Sequence, residues 1–139
     1  MSSGASSETL VIDASALVAI FRSEADGNQL VERIASYATR LMSATTWLEA
    51  AMVCESASKR EGGGADFDEL IRDLSIDVVS FTPEQARLAF EAFKRFGKGR
   101  GSKAGLNLGD CFAYALAKEM QAPLLFKGND FAHTDLQRA

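Results

Sequence analysis

The chain has 139 residues, 47% hydrophobic and 24% charged, with a formal net charge of -4. That length suits one domain that buries a core without crosslinks, and the composition excludes a disordered or collagen-like chain. The acidic balance excludes nucleic-acid binding by bulk charge, so any grip on RNA must rest on a local basic patch and on bound cations.

Residues 1–8 are small and polar and read as a flexible tail, without the basic start and apolar run of a secretion signal. The remainder, 9–139, reads as a single domain. A β-prone run, Thr9–Ile12, ends at Asp13, and Ala14–Phe21 reads as helix. Residues 24–39 carry Leu30, Val31, Ile34 and Tyr37 near helical spacing. A short strand over 41–44 precedes a helix over 46–59, which Gly62, Gly63 and Gly64 break. Phe67, Leu70, Ile71 and Leu74 share one face of a helix over 66–74, and 76–81 reads as a strand. Thr82 is a natural N-cap and Pro83 a natural first residue for the next helix, which runs to Phe96. A glycine-rich basic loop, 97–108, leads to a helix over 110–121. Pro123 stops that helix, and 124–126 is a short strand. The tail, 128–139, reads as a turn, a short helix and an edge strand. Alternating strands and helices imply an α/β fold, a mostly parallel central sheet with helices on both faces. No apolar stretch is long enough to span a bilayer, and the expected location is the cytoplasm.

Cys54 and Cys111 lie in helical apolar stretches without a CxxC partner and read as buried thiols. His133 is the only histidine, which removes a Cys/His zinc cluster and leaves no nucleophile placed for a Ser-His-Asp mechanism. The acids are more informative. In an open α/β sheet, ligands bind beyond the carboxyl ends of the strands. Asp13 follows the first strand, Glu49 stands in the first turn of the helix after the second, Asp110 opens the helix before the last strand, and Asp130 lies just past it. Four carboxylates at one edge repel each other and call for a cation. An oxygen-only donor set suits Mg²⁺ or Mn²⁺, which makes a bound water acidic enough to attack a phosphodiester. Each acid also has a plainer role. Asp13 and Asp110 are good N-caps, Thr46 and Glu49 match a Thr-x-x-Glu capping box, and Asp130 suits a turn.

The segments LVIDASALVAI around Asp13, SATTWLEAAMV around Glu49, and GLNLGDCFAYALAKEMQAPLLFKGNDFAHTDL resemble PIN-domain ribonucleases, most closely the VapC-type toxins of VapBC toxin–antitoxin pairs. The resemblance runs from Thr9 to Leu136 and is most specific in the last block. It implies a PIN-like three-layer α/β/α fold. It implies a catalytic set of Asp13, Glu49 and Asp110, with Asp13 and Asp110 on the metal. It further implies Mg²⁺- or Mn²⁺-dependent cleavage of RNA, a homodimer, and a VapB-type antitoxin as partner. Many relatives carry Asp where this chain has Gly128, so Asp130 is taken as the fourth acid, with Asn129 as a neutral helper. Ser15 matches the small hydroxyl that follows the first Asp and supports the site.

Lys98, Arg100 and Lys103, with Lys94 and Arg95 before them, form a basic run that reads as an RNA-binding loop or as a solvated one. It lacks the spacing of a phosphate-binding P-loop. Trp47, Phe67, Phe90, Phe93 and Phe96 read as core or interface rather than as stacking platforms. Some apolar helix surface is expected to receive an antitoxin helix. Two other functions compete: a catalytically silent PIN-like binding scaffold, and a response-regulator-like signalling domain with Lys127 near its last strand. The latter needs an Asp at the end of a middle strand, where this chain has Ser80-Phe81-Thr82.

Overall fold

The apolar run at the start of the chain becomes an inner strand of a four-stranded sheet. In the computed structural model, which describes residues 8–58 and 61–139, the elements in chain order are β1 (Thr9–Ile12), α1 (Ala14–Phe21), α2 (Gly27–Ala35), β2 (Thr39–Ser43), α3 (Ala44–Ala57), α4 (Gly63–Asp73), β3 (Asp77–Val79), α5 (Pro83–Phe96), α6 (Leu108–Met120) and β4 (Leu124–Leu125). The strand order is β3-β2-β1-β4, and all three pairings are parallel. Thr9 pairs with Thr39, Ile12 with Leu125, and Met42 with Val78.

Side chains alternate across a strand, so each buried strand feeds two cores. Leu10, Ile12, Met42 and Leu125 face one side, where Leu17, Ile34, Cys54, Phe67 and Ile71 of α1 to α4 cover them. Val11, Leu41 and Leu124 face the other, under Ala92, Tyr114 and Leu116 of α5 and α6. The result is the three-layer α/β/α arrangement that the alternation implied. Arg40 binds the outer elements to the sheet. Its guanidinium donates to the carbonyls of Tyr37 at 3.0 Å and Ala35 at 3.2 Å beyond α2, and to that of Leu74 at 2.8 Å at the end of α4.

Several local expectations need correction. The helix expected over 24–39 is confined to α2, because Thr39 already pairs with Thr9 as a strand residue. The strand expected over 76–81 is only β3, at the sheet edge. α3 ends at Ala57, ahead of the three glycines, and Gly62, with φ 106°, is the N-cap of α4, so that helix begins at Gly63 rather than at Asp66. Ser43, not Thr46, caps α3, its hydroxyl accepting from the Thr45 N–H. Thr46 is buried in the first turn, and Glu49 falls in the second. The tail forms consecutive turns instead of a short helix, with N–H groups of Ala132 and Thr134 donating to the carbonyls of Asn129 and Phe131. Its edge pairing is a bridge between Leu124 and Arg138. The tail expected over 1–8 lies, apart from Glu8, outside the described residues. No helix among the described residues is long and apolar enough to cross a membrane.

Candidate active site

β1 has β2 on one side and β4 on the other, so the direction of winding reverses between β1 and β4. In such sheets the crevice for a ligand opens at the carboxyl ends of the two strands that flank the reversal. Asp13 is the first residue past β1. Its N–H donates to the Leu125 carbonyl at 3.0 Å, and its carboxylate caps α1 by accepting from the Ser15 N–H at 3.0 Å. Only 4% of Asp13 is exposed. Burial pushes its carboxyl above the usual range against the bonds from Ser15 and Ala14, and the charge of Asp130 adds to the rise.

Asp110 is also buried, at 7% exposure. It does not cap α6 by itself, as the sequence suggested. Asn107 is the N-cap and Asp110 completes a capping box. The Asp110 N–H donates to Asn107 Oδ1 at 2.9 Å, and the Asn107 N–H donates to Asp110 Oδ2 at 3.1 Å. Burial pushes the Asp110 carboxyl up to about 7, helped by the charges of Asp13 and Asp130 and by a hydrogen bond with Asp130, and opposed by the Asn107 N–H.

Glu49 reaches the same crevice from α3. It is half-buried, and burial followed by the charge of Asp13 raises its carboxyl. Its carboxylate rests on Gly109, where an added Cβ would overlap both oxygens. Glycine at 109 is therefore what lets α3 and α6 share an acid site. Asp130 is exposed past β4, and its charge and hydrogen bond bring it into the group through Asp13 and Asp110. Gly128 adopts φ 98°, a conformation that an aspartate would hold only under strain, so the last carboxylate comes two residues later.

Ser15 lies beside Asp13. Its hydroxyl bonds the Asp13 carboxylate and accepts the Lys127 N–H at 2.9 Å, which locks α1 to the exit of β4. Asn129 is exposed and makes no side-chain hydrogen bond among the described residues. The crevice is a cavity of about 360 Å³ that runs along α1, with Asp13, Glu49 and Asp110 in its wall together with Arg22, Glu24 and Lys127. A larger cavity of about 490 Å³ lies between α2 and the C-terminal residues, but it mixes Asp26 and Glu32 with Arg33 and Arg138 and brings no set of acids together.

Sequence reasoning missed Arg22 of the acidic cavity and placed Lys127 only in the signalling-domain alternative. The Lys127 ammonium is held by Glu24 and by Asp26 at 3.2 Å, bonds that raise its pKa. Arg22 follows α1 at the spacing Ala14, Val18, Arg22, a signal already present in the helical pattern. The expected basic loop lies elsewhere. Lys98 lines an apolar groove with Phe90, Phe93 and Phe112, Arg100 stacks 5.6 Å over the Phe93 ring, and Lys103 is exposed. Phe67 is core, between Phe21 and Trp47, and the Trp47 indole donates to Asp68 at 3.1 Å. Phe90 and Phe93 are exposed, so α5 is not wholly core at its aromatic series. Both cysteines are buried and free, and burial pushes their thiols up to about 11, which leaves them inert.

Among the described residues, no three Asp, Glu, His or Cys side chains stand close enough together to hold a metal ion as they are placed. The donor set still fits a hard divalent cation. It is all oxygen, and Asp13 and Asp110 are buried with raised pKa values, first because burial penalises their charge and then because neighbouring carboxylates add to it.

The family model described as PIN domain matches residues 10–136. The chain is 46% identical over 127 residues to a protein named Ribonuclease VapC from Mycolicibacterium smegmatis, covering 91% of this chain and 97% of that one. It is 44% identical over 130 residues to Ribonuclease VapC28 of Mycobacterium tuberculosis, covering 94% and 97%. Its fold resembles that of M. tuberculosis VapC20, described as a sarcin-ricin loop cleaving toxin, with TM-score 0.74, 12% identity, and 94% and 98% of the two chains covered. It also resembles Rickettsia felis VapBC2, solved bound to a fragment of promoter DNA, with TM-score 0.72, 15% identity, and 94% and 97% covered.

Proposed function

This chain belongs to the PIN-domain family, among its VapC-type metal-dependent ribonucleases, and on that premise we propose that Asp13, Glu49, Asp110 and Asp130 form its RNA-cleaving centre. The observation that carries the assignment is the meeting of Asp13 and Asp110, both buried and both raised in pKa, at the reversal between β1 and β4.

Asp13 and Asp110 would hold Mg²⁺ or Mn²⁺. When bound, that cation neutralises the acids, polarises a phosphodiester oxygen and makes a water acidic enough to attack. The protein supplies the rest. Ser15 and the helix N-terminus fix the Asp13 carboxylate. The capping box does the same for Asp110. Glu49, raised in pKa and seated on Gly109, is suited to take the proton of the attacking water. Asp130 and Asn129 orient solvent from the far rim. Lys98, Arg100 and Lys103 engage RNA outside the cavity, from the loop before α6.

The protein acts as the toxin of a type II pair in the cytoplasm, with a VapB-type antitoxin and a second copy of itself as partners. Exposed Leu48, Met52, Leu108 and Phe90, around two apolar grooves on α3, α5 and α6, support a protein-binding face. The test is cleavage of a mixed RNA pool by purified protein with Mg²⁺, with Mn²⁺ and with EDTA. Cutting that needs metal and is lost in Asp110→Asn is expected. No cutting under any metal, with antitoxin removed, would overturn the assignment in favour of a silent scaffold.

A further inference from the structure

The acidic cavity is elongated, and its two ends differ in charge. Ala14, Ser15, Val18 and Ala19 of α1 line its floor, buried or half-buried, and Arg22 stands exposed at the end of the row. Asp13 stands at the start of that helix and Arg22 at its C-cap. Nine residues of helical rise separate them by about 13 Å. The acids cluster at the Asp13 end. Lys127, on the wall, is already neutralised by Glu24 and Asp26. Arg22 lines the same cavity, is exposed, and makes no ion pair or side-chain hydrogen bond among the described residues.

An unengaged guanidinium at the end of an acid-lined groove has little to do for the fold. Its planar fork matches a phosphate with two parallel hydrogen bonds. It is anchored more than two helical turns from Asp13, which suits a phosphate flanking the reacting one. A stacked strand advances about 3.4 Å per phosphate, so the distance corresponds to about four nucleotides, and to fewer if the strand is extended.

We propose that Arg22 is an RNA-positioning residue that holds a phosphate flanking the cut, at the far end of the α1 groove. The inference rests on the ribonuclease reading above. It makes the groove a track for one strand: the acid end cuts, the Arg22 end sets register, and the walls of Glu24 and Glu49 keep the backbone from binding between them. The substrate must then extend a few nucleotides beyond the scissile bond on one side.

The test compares Arg22→Gln and Arg22→Lys with wild type on an oligoribonucleotide carrying one mapped cleavage site, and on versions trimmed from each end. For Arg22→Gln on the full substrate, KM is expected to rise about tenfold with kcat within about twofold. The slope of log affinity against log salt should fall by about 0.7, one phosphate contact on a single strand. Trimming one end, and only one, should cost wild type the same factor and cost Arg22→Gln nothing. Arg22→Lys should keep the salt slope and recover part of the KM. Arg72→Gln, on α4 and paired with Asp68, should change none of these. Binding of the same labelled RNA by anisotropy, with each change placed in the Asp110→Asn background, reads the contact without cleavage. Unchanged RNA affinity and salt slope in Arg22→Gln would overturn the proposal, as would an effect confined to thermal stability or to Mn²⁺ affinity. Failure of wild type to cut any RNA would instead sink the ribonuclease reading, and the binding arm would still decide whether Arg22 holds a phosphate.

Discussion

Asp110→Asn separates the charge of the site from its architecture. Burial and the neighbouring acids raise the Asp110 carboxyl from the ordinary 3.8 to about 7. At about 1.36 kcal/mol per pH unit, that is a penalty of about 4 kcal/mol on the ionised form. The crevice is open to water on one side, and screening reduces this to about 2 kcal/mol. Asparagine keeps an acceptor for the Asn107 N–H, so the capping box survives. It gives up a negative charge at a helix N-terminus, a loss of about 0.5 kcal/mol. Without divalent cation, and well above pH 7, the variant should therefore be more stable than wild type by about 1 to 1.5 kcal/mol. The sign follows from linkage. A carboxyl with a raised folded pKa keeps a proton that the unfolded chain has released, so wild type loses stability as pH climbs from about 4 through about 7. The gain should be complete above that window and absent near its lower end. Urea unfolding followed by circular dichroism in EDTA, at about pH 4.5 and about pH 8, measures both limits. The same variant should cleave no RNA and gain no stability from Mn²⁺. A variant less stable than wild type at the higher pH, or an effect that ignores pH, would refute the idea that this carboxylate is held against like charges.

Other outcomes follow from single contacts. Gly109→Ala should fold normally, gaining up to about 0.5 kcal/mol in helix propensity, while cleavage falls about a hundredfold because the new methyl displaces the Glu49 carboxylate; unaltered kinetics would show that Glu49 has no part in the chemistry. Mn²⁺ affinity, measured by calorimetric titration, should rise with pH up to about 7 with release of close to one proton, since metal and proton compete for Asp110; a flat profile would contradict this. Thr46→Val should raise stability by about 1 kcal/mol in urea melts, because the Thr46 hydroxyl is buried without a hydrogen-bond partner among the described residues; a loss would reveal a bound water serving it. Phe67→Ala should cost about 3 to 5 kcal/mol, the price of removing a fully buried ring between Phe21 and Trp47, and a smaller loss would mean that the α1 to α4 core collapses onto the gap.

The order of elements and the parallel sheet were legible because strands and helices alternate and because Asp13, Thr82 and Pro83 mark helix starts. Helix boundaries were less so. Nothing local distinguishes Asp110 from Asn107 as a cap, since both residue types accept from a free N–H and only the reciprocal bonds in space decide. Likewise Thr46-x-x-Glu49 has the letters of a capping box, but Ser43 stands closer to the end of β2 and takes the role. The acids were readable one by one as residues at strand exits. Which of them meet, and how deeply each is buried, was not, because that depends on β4 lying beside β1, a pairing of segments far apart in the chain. The contribution of Gly109 was hidden for the same reason: its value lies in a side chain of α3 that the sequence places sixty residues away. Arg22 was missed because basic residues in a cluster draw attention and isolated ones do not.

The pairing of β1 with β4 also sets an order of events during synthesis. An emerging chain presents Asp13 first and Glu49 soon after, and its first three strands can associate as soon as Val79 is available. The crevice has no far wall at that stage, because Leu125, whose carbonyl receives the Asp13 N–H, has not been added. Contacts between distant segments are the slowest to form, and chains mature from the N-terminal side. A partly made molecule is thus a collection of carboxylates without a nuclease. The proposed site is complete only when the strand after Pro123 slots in beside β1, so its last wall comes from a segment made more than a hundred residues after Asp13.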